Sequence, residues 1–406
     1  MRQLSQWLEH IESLHPSHIE LGLDRVKAVA EKLDLLQFSS PVITVAGTNG
    51  KGSTIAVLEA LLSEKGLSSA VYTSPHLLRF NERLRIKQSE LSDECWCEAF
   101  AAIEKGKGDI GLTYFEFTTL AAFYLIKQHS CDYVLLEIGL GGRLDAVNII
   151  DNQCSIITSI HYDHEDWLGH DLESIASEKA GVIRANTPVI AGDNQVKQLI
   201  SPYTDTNSCY AADNIDEIIP DYSLTMELPF LGKLHPNSLR SAVLAADQFN
   251  LSFSEEELKR AFSNVDIKGR WQKVYDSPSV WLDVAHNPQA IENLIGKLSQ
   301  HPEITEWVAI CGMLKDKKAL LALSVLQPHI KQWLLVPTTG PRGLSSAELK
   351  QKLPFCDEQN SQTFNSEKAA IDNAISHLPK NVGIIGFGSF LVVANMVEYF
   401  QQKTVG

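Results

Sequence analysis

Short apolar runs alternate along the chain with longer stretches in which apolar positions recur every third or fourth residue. That is the pattern of a parallel sheet covered by crossover helices. The runs Pro41–Ala46, Ala70–Thr73, Tyr133–Ile138, Ser155–Ile160 and Pro188–Ala191 predict strands, and Ser53–Lys65, Tyr114–Gln128 and Leu172–Arg184 predict helices. From Ser201 to Leu234 the sequence is polar and turn-rich, and reads as short strands or loops at the edge of a first domain. The alternation restarts after Gly269-Arg270-Trp271, with strands at Val280–Val284, Trp307–Cys311, Gln332–Val336 and Val382–Ile385. Helices fit between them near Pro288–Ser299, Lys318–Leu326, Ser345–Leu353 and Glu367–Leu378. The simplest partition is two α/β domains, residues 1–268 and 269–406, joined near 264–272; the first carries a mostly parallel sheet and the second is smaller and Rossmann-like.

Composition narrows the class. The 406 residues are 44% hydrophobic and 21% charged, which excludes a disordered, collagen-like or rod-like chain. Lys plus Arg number 35 against 50 Asp plus Glu, a net charge of −15 that argues against a nucleic-acid or anionic-membrane partner. A local phosphate pocket remains compatible with that charge, because backbone amides and a few lysines suffice to hold one. The seven cysteines are scattered without a Cys-x-x-Cys pair, as expected of free thiols in a reducing compartment. The opening residues lack an apolar signal core, and the uncharged run Val382–Val397 is too short to span a membrane and is interrupted by Gly386 and Gly388. It reads as a buried strand, a glycine turn and a helix. A soluble, cytoplasmic protein is expected.

The strongest chemical signal is Val42-Ile-Thr-Val-Ala46-Gly47-Thr48-Asn49-Gly50-Lys51-Gly52-Ser53-Thr54, an apolar strand running into a glycine-rich turn and a helix. Glycines let the backbone approach a polyphosphate, amides at the helix start point at it, Lys51 brings positive charge, and a hydroxyl can hold Mg²⁺. Gly52 separates Lys51 from Ser53, so the spacing departs from the usual phosphate loop. Glu137 closes an apolar strand at the edge where open α/β sheets bind ligands; it suits a metal held with phosphates, or a helix cap. In the predicted helix after Asp171, Lys179 lies four residues from both Ile175 and Ile183, which puts its ammonium on the apolar face. Burial there lowers its pKa; the alternative is a side chain that reaches solvent or pairs with an acid.

The loop resembles the ATP loop of the Mur ligase superfamily, so the first domain is expected to be P-loop ATPase-like. Further segments are similar to its folate branch, the dihydrofolate and folylpolyglutamate synthases. They are Thr73-Ser74-Pro75-His76-Leu77, Phe80-Asn81-Glu82-Arg83, Thr113-Tyr114-Phe115-Glu116-Phe117, Glu137 to Asn148, Asp163-His164, Ser177-Glu178-Lys179 and Asp283-Val-Ala-His286-Asn287-Pro288. They run in this order from about residue 21 to 288, and the likeness is weaker beyond.

The resemblance implies an ATP-dependent ligase that joins L-glutamate to dihydropteroate and to the γ-carboxylate of reduced folates through an acyl phosphate. It implies ATP and two Mg²⁺ ions as cofactors and a monomer, and the acidic charge leaves no nucleic-acid or membrane partner expected. Ser53, Ser74, Glu137, His164 and a carbamylated Lys179 would surround the metals. Lys51, Lys179, His164 and Arg270 would be catalytic. Gly47, Thr48, Asn49, Gly50, Lys51, Gly52, Ser53, Thr54, Arg270, Asp283, His286 and Asn237 would contact ATP, Asn237 only with a shift of about one residue. Leu21, Gly22, Thr113, Phe115, Asp145 and Ala146 would hold the pterin, with Phe115 as a stacking platform and Asp145 as the acceptor for its N–H groups. Two other readings stay open: a cell-wall Mur ligase acting on a UDP-sugar peptide, and a nucleotide-dependent regulatory binding protein.

Overall fold

The computed structural model describes residues 2–14, 20–205, 208–218 and 234–405. Much of the turn-rich stretch between Ser201 and Leu234, at 206–207 and 219–233, lies outside the described residues. The described residues divide into two compact units, with the boundary between Val265 and Asp266.

The first unit is built on an eight-stranded sheet of β1 (Val42–Ala46), β2 (Ser69–Tyr72), β3 (Leu84–Ile86), β4 (Ser89–Glu90), β5 (Tyr133–Glu137), β6 (Cys154–Ile157), β7 (Val189–Ala191) and β8 (Cys209–Ala211). Their order is β4-β3-β2-β5-β1-β6-β7-β8, parallel except for the β3 and β4 edge. Every residue of β1 is buried, because a parallel sheet is covered on both faces. The register sets Val45 beside Glu137 and Ala46 beside Ile157, so the carboxyl ends of β5, β1 and β6 meet at one edge. The chain leaves β1 toward β2 on one side and leaves β5 for β6 on the other, the kind of reversal that opens a crevice for ligands.

The helix Lys51–Glu64 follows β1 and is buried along most of its length, packed against the helices Pro236–Asp247 and Glu255–Ser263. The helix Tyr114–Gln128 forms as its pattern predicts, started by a Thr113 and Glu116 capping box. The helix expected over Leu172–Arg184 stops at Ala180. The carbonyl of Gly181 is taken by Asn148 Nδ2 at 2.9 Å, and that of Val182 by Asn152 Nδ2 and Ser155 Oγ at 2.9 and 3.0 Å, so side chains compete with a further turn.

The second unit holds a six-stranded sheet of β9 (Gln272–Asp276), β10 (Ser279–Asp283), β11 (Glu306–Cys311), β12 (Gln332–Leu335), β13 (Ser361–Thr363) and β14 (Val382–Phe387). The order is β13-β12-β11-β14-β10-β9, parallel except for β9, and its core gathers Ile291, Trp307, Trp333, Ile385 and Phe387. The run from Val382 resolves into β14, a turn and the helix Phe390–Val405. All seven cysteines are free thiols. Among the described residues no helix is long and apolar enough to cross a membrane.

Candidate active site

The phosphate loop begins where β1 ends. Gly47 has φ +146°, and a Cβ there would stand 2.0 Å from Thr158 Oγ1; Gly50 has φ +87° and precedes the helix Lys51–Glu64. Glycine is required at both places, by the clash at the first and the left-handed backbone at the second. The residues after β6 lace the loop in place. Thr48 N donates to Ser159 O and Asn49 N to Ser159 Oγ, each at 2.9 Å, while Thr158 Oγ1 donates to Asn49 O at 2.6 Å. Lys51 Nζ folds back onto the carbonyls of Gly47 and Thr48 at 3.0 and 3.4 Å. Gly52 and Ser53 open the helix, and Thr54 Oγ1 is buried with no hydrogen-bond partner among the described residues.

Three further candidate residues come from the end of β5 and from the segments after β6. Glu137, at the end of β5, is buried and its Oε2 accepts the Ser74 N–H at 3.1 Å. Lys179 is 3% exposed on the helix Leu172–Ala180, and burial first, then the Lys51 charge, lowers its pKa to about 7, against an opposing pull from Asp163. His164 starts the short helix Glu165–Leu168 with φ +52°, its N–H tied to Asp163 Oδ1 at 2.9 Å. Among the described residues no three His, Cys, Asp or Glu side chains cluster as a protein-only metal cage. The set of Ser53, Ser74, Glu137 and the orphaned Thr54 hydroxyl is sparse and made of oxygen, which fits Mg²⁺ held largely by phosphates and water.

The residues assigned to the pterin pocket come from segments that the fold packs together. The helix Asp24–Lys32, which Leu21 and Gly22 lead into, packs on the helix Tyr114–Gln128 and on the turn Ala146–Ile149. Arg25 Nε donates to both Glu116 carboxylate oxygens at 2.8 and 2.9 Å, and Glu116 in turn accepts the Thr113 N–H at 2.8 Å. Phe115 is half-buried, its ring against Gly139, where a Cβ would lie 2.6 Å away; Phe117 is fully buried in the core. Asp145 is 3% exposed, with Ala146 buried beside it. Its oxygens accept the N–H groups of Leu140 at 2.8 Å and Val147 at 2.9 Å, so it anchors its own loop. Burial raises its pKa to about 6, while those N–H groups and Lys51 pull it down.

In the sequence Arg83 is only the last residue of the Phe80-Asn81-Glu82-Arg83 motif. Here it is 7% exposed, donates through Nε to His76 Nδ1 at 2.9 Å and lies over the rings of Phe80 and Tyr114, with no carboxylate within ion-pair distance among the described residues. Burial, then Arg83, lowers His76 to about 4, and burial raises Tyr114 to about 12. A guanidinium without an acid beside it suits an anionic group. Thr158 and Ser159 were also missed, since two hydroxyls after a strand carry no signal until the sheet order puts β6 beside β1.

Asn237 is the second residue of the helix Pro236–Asp247, its Nδ2 on Asp213 Oδ1 at 3.3 Å and its Oδ1 taken by Arg240 at 3.2 Å. The neighbouring Ser238 faces the phosphate loop, its Oγ 3.5 Å from the Cβ position of Gly50.

In the second unit Asp283, at the end of β10, accepts Trp271 N and Ala285 N, each at 3.0 Å, and Lys297 Nζ at 3.1 Å. His286 Nδ1 is 2.8 Å from Val284 O, and Asn287 Oδ1 accepts Ala290 N at 3.0 Å as the cap of the helix Pro288–Leu298. Arg270 is half-buried in the turn before β9.

A phosphate loop on a mostly parallel sheet, followed by a second α/β unit, is the architecture of a Mur-type ligase, and residues 269–390 match the family model described as "Mur ligase, glutamate ligase domain". The chain is 38% identical to the dihydrofolate synthase/folylpolyglutamate synthase of Escherichia coli (strain K12), over 99% of this chain and 97% of the relative. It belongs to the dihydrofolate synthase/folylpolyglutamate synthase family. Two solved structures share its fold. Escherichia coli FolC in complex with DHPP and ADP has a TM-score of 0.90 at 37% identity, covering 99% of each chain. The bifunctional folylpolyglutamate synthase/dihydrofolate synthase complexed with AMPPNP and Mn ion from Yersinia pestis has a TM-score of 0.90 at 40% identity, covering 99% of this chain and 98% of that one.

Proposed function

We propose that this protein is an ATP-dependent amide ligase that adds L-glutamate to dihydropteroate, giving dihydrofolate, and to the γ-carboxylate of reduced folates. One observation carries the reading: β1, which runs into the glycine-rich loop and Lys51, lies in register with β5, whose last residue Glu137 sits beside Val45 and accepts the Ser74 N–H at 3.1 Å. A buried carboxylate at the edge where that loop begins is what a nucleotide held together with a metal requires. Full-length relatives named for both activities favour this over a cell-wall ligase or a regulatory ATP-binding protein.

A carboxylate is a poor acylating agent, so its oxygen first attacks the γ-phosphorus and ADP departs. The glutamate amine then attacks the acyl carbon, a C–N bond forms, the C–O bond to phosphate breaks, and the amine gives up a proton. Lys51, with loop amides and the Ser53 and Thr54 hydroxyls, orients the phosphates and offsets repulsion between two anions. The resemblance gives Arg270 the same task toward the γ-phosphate, and Asp283, His286 and, with a shift of about one residue, Asn237 the nucleotide. Mg²⁺, two ions by the resemblance, would draw charge from the phosphate oxygens. Ser53, Ser74, Glu137, His164 and Lys179 would hold it. A pKa of about 7 leaves much of Lys179 neutral at neutral pH, the form whose nitrogen attacks CO₂ to give a carbamate. Phe115 supplies a flat face for the pterin, beside Leu21, Gly22, Thr113, Asp145 and Ala146. A monomer in the cytoplasm completes the proposal.

The test is phosphate release with dihydropteroate and, separately, tetrahydrofolate, each with and without L-glutamate. Glutamate-dependent release with both substrates is expected. Release that ignores glutamate would favour a regulatory ATPase.

A further inference from the structure

We propose that Lys297 is a positioning residue for phosphoryl transfer, acting through Asp283 to fix the turn that presents Arg270; this rests on the reading of Arg270 as a γ-phosphate contact. Asp283 does not stand as a free acceptor awaiting a ligand. Its Oδ2 holds the Trp271 N–H at 3.0 Å and the Lys297 ammonium at 3.1 Å, and its Oδ1 holds the Ala285 N–H at 3.0 Å. The Asp283 and Lys297 side chains are 9% and 19% exposed, so this pair is largely shielded from water.

What it helps to fix is a backbone of uncommon shape. Gly269 has φ +72°, and Trp271, a bulky residue, has φ +44°. A left-handed conformation is disfavoured for a non-glycine residue, and it persists only where the surroundings overdetermine it. Here the determinants are visible. Val284 N donates to Gly269 O at 2.8 Å, Gln272 Oε1 accepts Gly269 N at 2.8 Å, and the Trp271 ring stacks on Trp281 at 4.8 Å. Lys297 Nζ also lies 5.7 Å from the Trp271 ring centroid, so a single ammonium steadies the acid and the indole on one side of Arg270. Without that ammonium, Asp283 would be a shielded carboxylate held by two amides alone. It would draw in water or turn outward, and the Trp271 N–H that defines the turn would lose its acceptor.

The experiment is a double-mutant cycle in the full-length protein, combining Lys297→Met and Arg270→Ala and reading glutamate-dependent phosphate release. Lys297→Met keeps most of the aliphatic stem. It should lower kcat about 10- to 100-fold, the loss expected from misplacing a reacting contact by ~1 Å, with the dihydropteroate KM nearly unchanged. Lys297→Arg should restore most of the rate. In the Arg270→Ala background, Lys297→Met should cost almost nothing further, because the group it positions is gone.

A merely structural lysine would lower the melting midpoint, would not distinguish kcat from KM, and would multiply with Arg270→Ala. Multiplicative losses, or a Lys297→Met enzyme with wild-type kcat per folded molecule, overturn the proposal. Lys297→Gln repeats the cycle if the methionine variant fails to fold. The same cycle read as AMPPNP affinity by calorimetry separates the two claims: a wild type that binds the analogue but never ligates glutamate sinks the ligase reading alone, and additive affinity losses sink the role of Lys297.

Discussion

Arg25 Nε donates to both carboxylate oxygens of Glu116, joining segments 91 residues apart in the chain. The acid is 4% exposed and also caps the helix Tyr114–Gln128, so one pair ties the segment after Leu21 and Gly22 to the turn that carries Thr113 and Phe115. Removing Arg25 alone strands a buried carboxylate. Arg25→Met is expected to cost about 3 kcal/mol, and Arg25→Met with Glu116→Gln less than the sum of the two single changes, measured by urea denaturation. Additive losses would show that the pair does not couple the segments.

Lys51→Ala should leave stability nearly unchanged, since the ammonium folds back onto two carbonyls of its own loop. Phosphate release should fall by roughly 10³-fold or more, the scale of losing a charge aimed at the transition state. A melting curve and a single-turnover assay on the same preparation check both halves.

Gly47→Ala meets a harder obstacle. The added methyl would fall 2.0 Å from Thr158 Oγ1, the hydroxyl that ties Asn49 into the loop. Weakened ATP binding with retained secondary structure is expected, and Thr158→Ala in the same chain should recover part of the affinity by making room. Calorimetric titration with AMPPNP reads the outcome.

Asp145 gives a pH signature. Its folded pKa is raised to about 6, so between pH 4 and pH 6 the folded chain holds a proton that the unfolded chain has released. The stability this confers is full below about pH 4 and is lost as pH rises through about 6. Asn at 145 does not titrate and turns an amide toward one of the two N–H donors now bound by the acid. The wild type should therefore be more stable than Asp145→Asn at pH 4, with the gap narrowing by the order of 2 kcal/mol by pH 7. A gap that widens would contradict the assignment.

Chelation offers a further separation. Because the candidate metal set is one carboxylate with hydroxyls, an imidazole and a lysine, EDTA should abolish turnover while leaving the melting midpoint within a degree or so of its untreated value. A large loss of stability would mean that the metal holds the fold.

Much of this architecture was legible before any coordinates. The inner strands of both units announce themselves as apolar runs because they are covered on both faces, whereas the outer strands β3, β4, β8, β9 and β13 do not, several of them being short or half exposed; the Thr113 and Glu116 capping box marks the start of its helix to the residue. The helices Asp24–Lys32 and Glu255–Ser263 were passed over because each buries only three residues amid many charges, a stripe that periodicity shows weakly. The phosphate loop and the apolar face that carries Lys179 were readable because strand, glycine turn and helix period are written in local order, although Thr158 and Ser159, which hold the loop, come from beyond β6. The contacts of Asp145 were not. That acid was expected to await a ligand, yet it first satisfies the amides of a turn whose path depends on the packing of distant segments. Arg83 and Lys297 were missed for the same reason: their partners, His76 and Asp283, are chosen by the fold and not by spacing.

The helix Lys51–Glu64 is sandwiched between the sheet and two other helices, with buried residues on every side of its axis. The direction of its leading amides is therefore set by the packing behind them, and under the proposed reading a triphosphate meets a socket whose axis is fixed in advance. Discrimination between adenine and other bases has to be exercised elsewhere, by groups free to choose, while this end of the molecule accepts whatever tail is offered.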